Sequence, residues 1–147
     1  MSFTYPFPRP ALTTDAVVIC NEDQSILLIE RKKDPYQGKW ALPGGFVDEY
    51  EEVTAACVRE LEEETHLALS PDHAKFVGVF GKEGRDPRGW TVSVVYFFEV
   101  SKEQKSKVAP GSDSAAVHWF PLSQLPDLAF DHKEIIEEVL KVVLKRP

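Results

Sequence analysis

Two continuous apolar runs, Ala16 to Cys20 and Ile26 to Glu30, stand on either side of the polar stretch Asn21 to Ser25. Runs this short, filled with aliphatic and β-branched residues, predict strands that are largely buried and joined as a hairpin. Lys75 to Phe80 predicts a further strand, and Thr91 to Val100 does so most clearly because β-branched and aromatic residues dominate it. A last strand is expected around Ala116 to Phe120. Helical spacing appears twice. The segment from about Glu51 to Thr65 is rich in Glu, Ala, Val and Leu, and Asp48 with Glu51 three residues later predicts a capping box at its start. Near the C-terminus, Ile135, Ile136, Val139, Leu140 and Val143 recur at helical spacing behind Asp131, a predicted N-cap.

The connections separate these elements cleanly. Ser2 to Pro10 carries too many prolines for a helix or a central strand and reads as an extended arm. Lys32 to Lys39 is a polar loop, Leu42-Pro-Gly-Gly45 interrupts any regular element, and Gly81 to Gly89 is a charged loop rich in turn residues. Strands mixed with two long helices, without internal repeats, predict an α/β sandwich. At 147 residues and 43% hydrophobic content the chain is expected to form a single domain over 1–147, with 1–11 as the arm.

Charge narrows the function classes. With 24 acidic against 17 basic residues the net charge is -7, so the average field repels a polyanionic nucleic acid, and a phosphate-bearing ligand needs local arginines, lysines or a metal. Cys20 and Cys57 lie in apolar stretches without a CxxC or Cys/His cluster, and read as reduced core cysteines. Met1 to Pro10 lacks the charged-then-apolar order of a signal peptide, and no apolar run approaches the ~18 residues of a membrane span. The expectation is a cytoplasmic protein with no membrane and no nucleic-acid partner.

The helix from Glu51 to Thr65 carries the chemistry. At ~100° per residue, Val53, Ala56, Cys57 and Leu61 share one side, and Glu60 and Glu64 fall in the same sector. A solvated face accounts for Glu62, which projects away. It does not account for carboxylates aimed at a packed surface, which cost several kcal/mol unless neutralised, and a hard divalent cation is the natural partner. Glu63 sits at the edge of that sector, so Glu60, Glu63 and Glu64 form one acidic wall. Gly44-Gly45, just before it, allows backbone carbonyl or amide groups to approach a ligand closely.

The run Gly45 to Leu67 resembles the Nudix box, G-x5-E-x7-R-E-U-x-E-E-x-G-U with U a bulky apolar residue, at eight of nine fixed positions. His66 replaces the last glycine, which normally ends the helix in a left-handed conformation; histidine tolerates positive φ at a cost. The resemblance implies a Nudix-type α/β/α sandwich with a mixed β-sheet and a magnesium-dependent hydrolase of diphosphates, manganese being a possible substitute. It implies that Glu60 and Glu64 bind metal, that Glu63 is a further ligand or a water-positioning carboxylate, and that the Gly44 carbonyl is a backbone ligand. Glu63 and Glu64 are thus catalytic candidates, while Gly45, Glu51 and Arg59 brace the motif. The implied reaction is attack of a metal-activated water on a diphosphate phosphorus.

Arg9-Pro-Ala-Leu12, Arg85-Asp-Pro-Arg-Gly89 and Leu128-Ala-Phe-Asp-His132 are similar to the ADP-ribose pyrophosphatase branch and to the ligand domain of related transcriptional regulators. A proline signature of that branch is not met, since Pro71 is too close to the box and Pro87 too far. Those regulators add a C-terminal winged helix; with the chain ending at Pro147, an enzyme is expected, acting on a small nucleotide as a homodimer. Arg31, Trp40, Arg85 and Arg88 are the substrate-binding candidates. Arg85 and Arg88 equally suit a solvated loop, and Tyr36, Trp40 and Trp90 suit packing as well as stacking on adenine. For a general base, Asp113 comes before Glu103, with plain turn formation as its alternative. His118 is read as structural. The competing functions are pyrophosphohydrolysis of nucleoside triphosphates or diadenosine polyphosphates, and a non-catalytic ADP-ribose sensor.

Overall fold

In the computed structural model, which describes residues 2–111 and 114–143, the central strand is β1 (Ala11–Cys20). Its second half is the apolar run Ala16 to Cys20, wholly buried on both faces. β1 pairs in parallel with β6 (Thr91–Val100) along ten residues, and β6 pairs antiparallel with β5 (Lys75–Phe80). The other edge of β1 is shared. Thr13 to Asp15 bond to the short β4 (Gly44–Phe46), and Ile19 and Cys20 bond to β2 (Ser25–Arg31). The expected hairpin is therefore brief: β2 diverges to pair antiparallel with β7 (Ser114–Pro121) and, at its end, with β3 (Trp40–Ala41). The result is a seven-stranded mixed sheet.

Side-chain alternation along β1 assigns the two layers. Val17 and Ile19 join Ile26, Leu28, Val95 and Phe97 beneath Ile135, Ile136 and Val139 of the C-terminal helix α3 (His132–Val142). Ala16, Val18 and Cys20 point the other way, to Cys57 and Leu61 of α1 (Val53–Thr65). This is the α/β/α sandwich expected of the sequence. A four-residue helix, α2 (Lys102–Lys105), carries a true capping box between Ser101 and Gln104, and a 3-10 turn spans Pro71–His73. No described helix is long and apolar enough to cross a membrane. Both cysteines are free and buried, and burial pushes the Cys57 thiol up to about 12, which suits a core residue and not a nucleophile.

Three local expectations need correction. α1 starts at Val53, two residues later than Glu51, behind an N-cap Glu52 whose side chain does not cap. Asp48 and Glu51 do close on each other, with the Glu51 N–H donating to Asp48 O and the Asp48 N–H to Glu51 Oε1, but they form a turn ahead of the helix. Asp131 occupies the N-cap position of α3 without a side-chain cap bond, because its carboxylate is taken by Arg85. A two-pronged, charge-assisted pair outweighs one bond to a helix amide.

Candidate functional site

The inward face of α1 is apolar for two turns and then acidic. Ala56, Cys57 and Leu61 are buried, and so is Glu64. Glu60 is half-buried, whereas Glu62 and Glu63 are exposed. The buried Glu64 carboxylate is oriented by backbone, since the Gly44 N–H donates to Oε1 at 2.7 Å. Glu60 is packed on the neighbouring glycine. A Cβ on Gly45 would stand 2.5 Å from the Glu60 carboxyl carbon and 2.7 Å from both its oxygens, so only glycine leaves room for the carboxylate. The Gly44-Gly45 backbone of β4 thus lies directly against the carboxylates of Glu60 and Glu64.

The C-terminal end of α1 is closed from two sides. His66 takes φ 62, with its N–H on Glu62 O, the left-handed termination for which the family motif uses glycine. The loop before β7 supplies the rest: the Ala109 N–H donates to Thr65 O, and the Gly111 N–H and Ser114 hydroxyl both donate to Glu64 O. These bonds hold Ala109, Gly111 and Ser114 against the C-terminal end of α1. Asp113 itself lies outside the described residues. Glu103, in α2, is not among the residues lining the cavity described below.

Arg59 neutralises the outer part of the wall. Its Nε and Nη2 donate to the two Glu51 oxygens at 2.7 and 2.9 Å, Nη1 reaches Glu60 and Glu63, and Asp48 stands 3.5 Å away. The Arg59 bonds, with a backbone bond from the Asp48 side, hold the Glu51 carboxyl down at about 2. Among the described residues no three acidic, histidine or cysteine groups already surround one point. The donor chemistry nonetheless fits a hard divalent cation: Glu60, Glu63 and Glu64 offer oxygen only, and Gly45 leaves open the space that Glu60 uses.

Glu64, Gly44 and Gly45 line one cavity together with Arg31, Arg85 and Arg88, so α1, β4, β2 and the charged loop bring half of the expected residues to one place, while Glu60 and Glu63 are not part of the lining. Arg85 is buried and paired through two bonds, 2.9 and 2.7 Å, to Asp131. Arg88 is bound to Asp86 and lies over the rings of Phe46 and Phe130. Arg31 donates to Pro35 O and stacks on the same Phe130 ring; burial, and then the charge of Arg88, pull its guanidinium below its ordinary value. Trp40 is not part of the lining. It packs edge-on against Phe120, and His118 joins both rings. Tyr36 packs on Phe130, and Trp90 is exposed.

Sequence reasoning missed Asp15, Asp86, Phe46, Phe130 and His132 in this cavity. Asp15 did leave a signal, as a carboxylate directly before a fully apolar strand segment. Phe130, with positive φ, 53°, in the tight turn that leads into α3, and His132 both lie in the Leu128 to His132 run whose family likeness is their one signal.

A family model, the NUDIX domain, matches residues 10–139. An ADP-ribose pyrophosphatase of Methanocaldococcus jannaschii is 40% identical over 133 residues, covering 90% of this chain and 75% of that protein. The ADPR responsive transcriptional repressor NtrR of Acinetobacter baylyi is 37% identical over 139 residues; 90% of this chain is covered, but it spans only 54% of the repressor. Among solved structures, the NUDIX domain of Shewanella oneidensis NrtR complexed with ADP ribose superposes with a TM-score of 0.83 at 33% identity, covering 95% of this chain and 94% of that one.

Proposed function

The chain belongs to the NUDIX domain family and is a Nudix hydrolase, and on that premise we propose that it cleaves the diphosphate bond of ADP-ribose to give AMP and ribose 5-phosphate. The observation that carries this reading is Glu64, a buried carboxylate fixed by the Gly44 amide on the wall of a cavity that three arginines also line. The likeness to an ADP-ribose pyrophosphatase and to a domain complexed with ADP ribose supports the choice of substrate.

Glu60, Glu63, Glu64 and the Gly44 carbonyl would hold magnesium, for which manganese can substitute. When bound, such a cation lowers the pKa of a coordinated water and offsets charge on the phosphates. The chain's own residues do the rest. Arg88 and Arg31, at the rim, supply forked donors to the phosphates, and Arg85 keeps α3 and the charged loop together through Asp131. The exposed Phe46 ring would provide apolar surface for the nucleoside end. The water oxygen bonds to one phosphorus as the anhydride P–O bond breaks, and the leaving phosphate takes the electron pair. Asp113, the general-base candidate of the sequence, would take the proton from the water. A homodimer belongs to the same reading, supported by the exposed Phe3, Tyr5 and Phe7 of the arm, and a dimer mass in solution scattering is the expected result.

Product analysis after incubation with ADP-ribose and magnesium tests the substrate. AMP with ribose 5-phosphate is expected. Pyrophosphate release from a nucleoside triphosphate, without ADP-ribose cleavage, would replace the substrate. The repressor likeness gives a second reading, an ADP-ribose sensor, which tight binding without turnover would establish.

A further inference from the structure

His132, the first residue of α3, is buried, lines the cavity and touches the backbone that builds the site. The Leu42 N–H donates to its Nδ1 at 3.0 Å. A ring nitrogen that accepts from an amide carries no hydrogen, so the proton of the neutral ring is on Nε2. That Nε2 stands 3.6 Å from Asp15 Oδ1, while Asp15 Oδ2 accepts from the Ser93 hydroxyl. Asp15 is in turn packed on Gly44. The two are register partners between β1 and β4, and a Cβ on Gly44 would lie 2.6 Å from Asp15 Oδ1. One imidazole therefore meets both the amide two residues before Gly44 and the carboxylate pressed against it. The Gly44 N–H then orients Glu64, and Gly45 receives Glu60.

We propose that His132 is a positioning residue which, through the Leu42 amide and Asp15, fixes the Gly44-Gly45 backbone against Glu64 and Glu60 and so sets the affinity of the acidic wall for a divalent cation. This rests on the reading above that the wall holds one. Without an acceptor at Nδ1 the buried Leu42 amide loses its partner, and the start of the Leu42 to Gly45 segment loses its tie to α3, leaving the Ala16 N–H bond to Pro43 O, the Gly44 bond to Glu64 and the pairing with β1. Loss of such an outer support costs about 10–100-fold in metal affinity. A histidine that merely fills the core would change stability and leave cation affinity alone.

The test is Mn2+ binding to the full chain without substrate, followed by electron paramagnetic resonance, with circular dichroism confirming that each variant is folded. Wild type should bind, and Glu64→Gln should bind weakly. His132→Leu, which removes the acceptor, should lose about 10–100-fold, whereas His132→Asn, whose Oδ1 can stand where Nδ1 stands, should stay within about threefold. Wild-type affinity in folded His132→Leu would overturn the proposal, as would an Asn variant as weak as the Leu variant. Should His132→Leu not fold, His132→Gln replaces it: its acceptor reaches the Nε2 position only, so it should bind weakly, and affinity equal to that of His132→Asn overturns the proposal. A wild type that binds no Mn2+ would instead bring down the metal reading, and this proposal with it.

Discussion

Glu51→Gln removes one charge from the Arg59 network while keeping the side-chain shape. The carboxyl is held at about 2 against an ordinary 4.5, chiefly by Arg59. A displacement of that size corresponds to at most about 3.5 kcal/mol of preference for the charged form. Arg59 and Glu51 are 27% and 18% exposed, so solvent screening brings the expected loss to about 1–2 kcal/mol. For a chain of this length that lowers Tm by about 2–8 °C. The assay is reversible thermal unfolding of Glu51→Gln, Arg59→Met and the double variant at pH 7. A coupling of about 1–2 kcal/mol is expected, because either single variant removes the charge-assisted, two-pronged pair. The sign with pH follows from the lowered value. The contribution is complete above pH 4.5 and is lost as pH falls toward about 2, so the coupling should fade over that range. Single-variant effects that add to within about 0.5 kcal/mol at pH 7 would refute the bracing role of the pair.

His66→Gly should raise stability by about 0.5–1 kcal/mol, read as a higher Tm, since φ 62 is strained for histidine and not for glycine. Gly45→Ala should leave the fold intact but displace the Glu60 carboxylate, with kcat/KM falling by ~100-fold and Tm changing little. Burial pushes the His132 imidazole below 6.5, against the opposing pull of Asp15 and Asp131 and with help from Arg85 and Arg31. Its neutral form is therefore favoured on folding, so stability is complete above pH 6.5 and declines as pH falls below it; His132→Asn should flatten that part of a Tm-versus-pH curve.

What was legible in the chain followed from strong periodicity. β5 and β6 match the expected Lys75 to Phe80 and Thr91 to Val100, and the buried Glu64 follows from the wheel that placed it beside Leu61. The misreadings came from side chains with more than one possible partner. Asp131 could cap a helix or pair with Arg85, and only the fold brings Arg85, 46 residues earlier, within reach. Glu51 could cap α1 or bind Arg59, and a guanidinium offering two donors wins. β3 and β4 are two and three residues long and contain no pattern to detect; long-range pairing with β1 and β2 creates them. Trp40 is as flat as a base-stacking residue should be, but Phe120 and Leu128 lie on the same cluster, so burial claims it.

The proposed role of Glu64, buried and held by the Gly44 amide, is to make this cavity a hydrolytic site. The most direct measurement is steady-state turnover of ADP-ribose with magnesium by wild type and by Glu64→Gln, both verified as folded. AMP formation by wild type and a loss of at least about 100-fold in kcat for the variant are expected. Equal turnover by the two proteins would contradict that role.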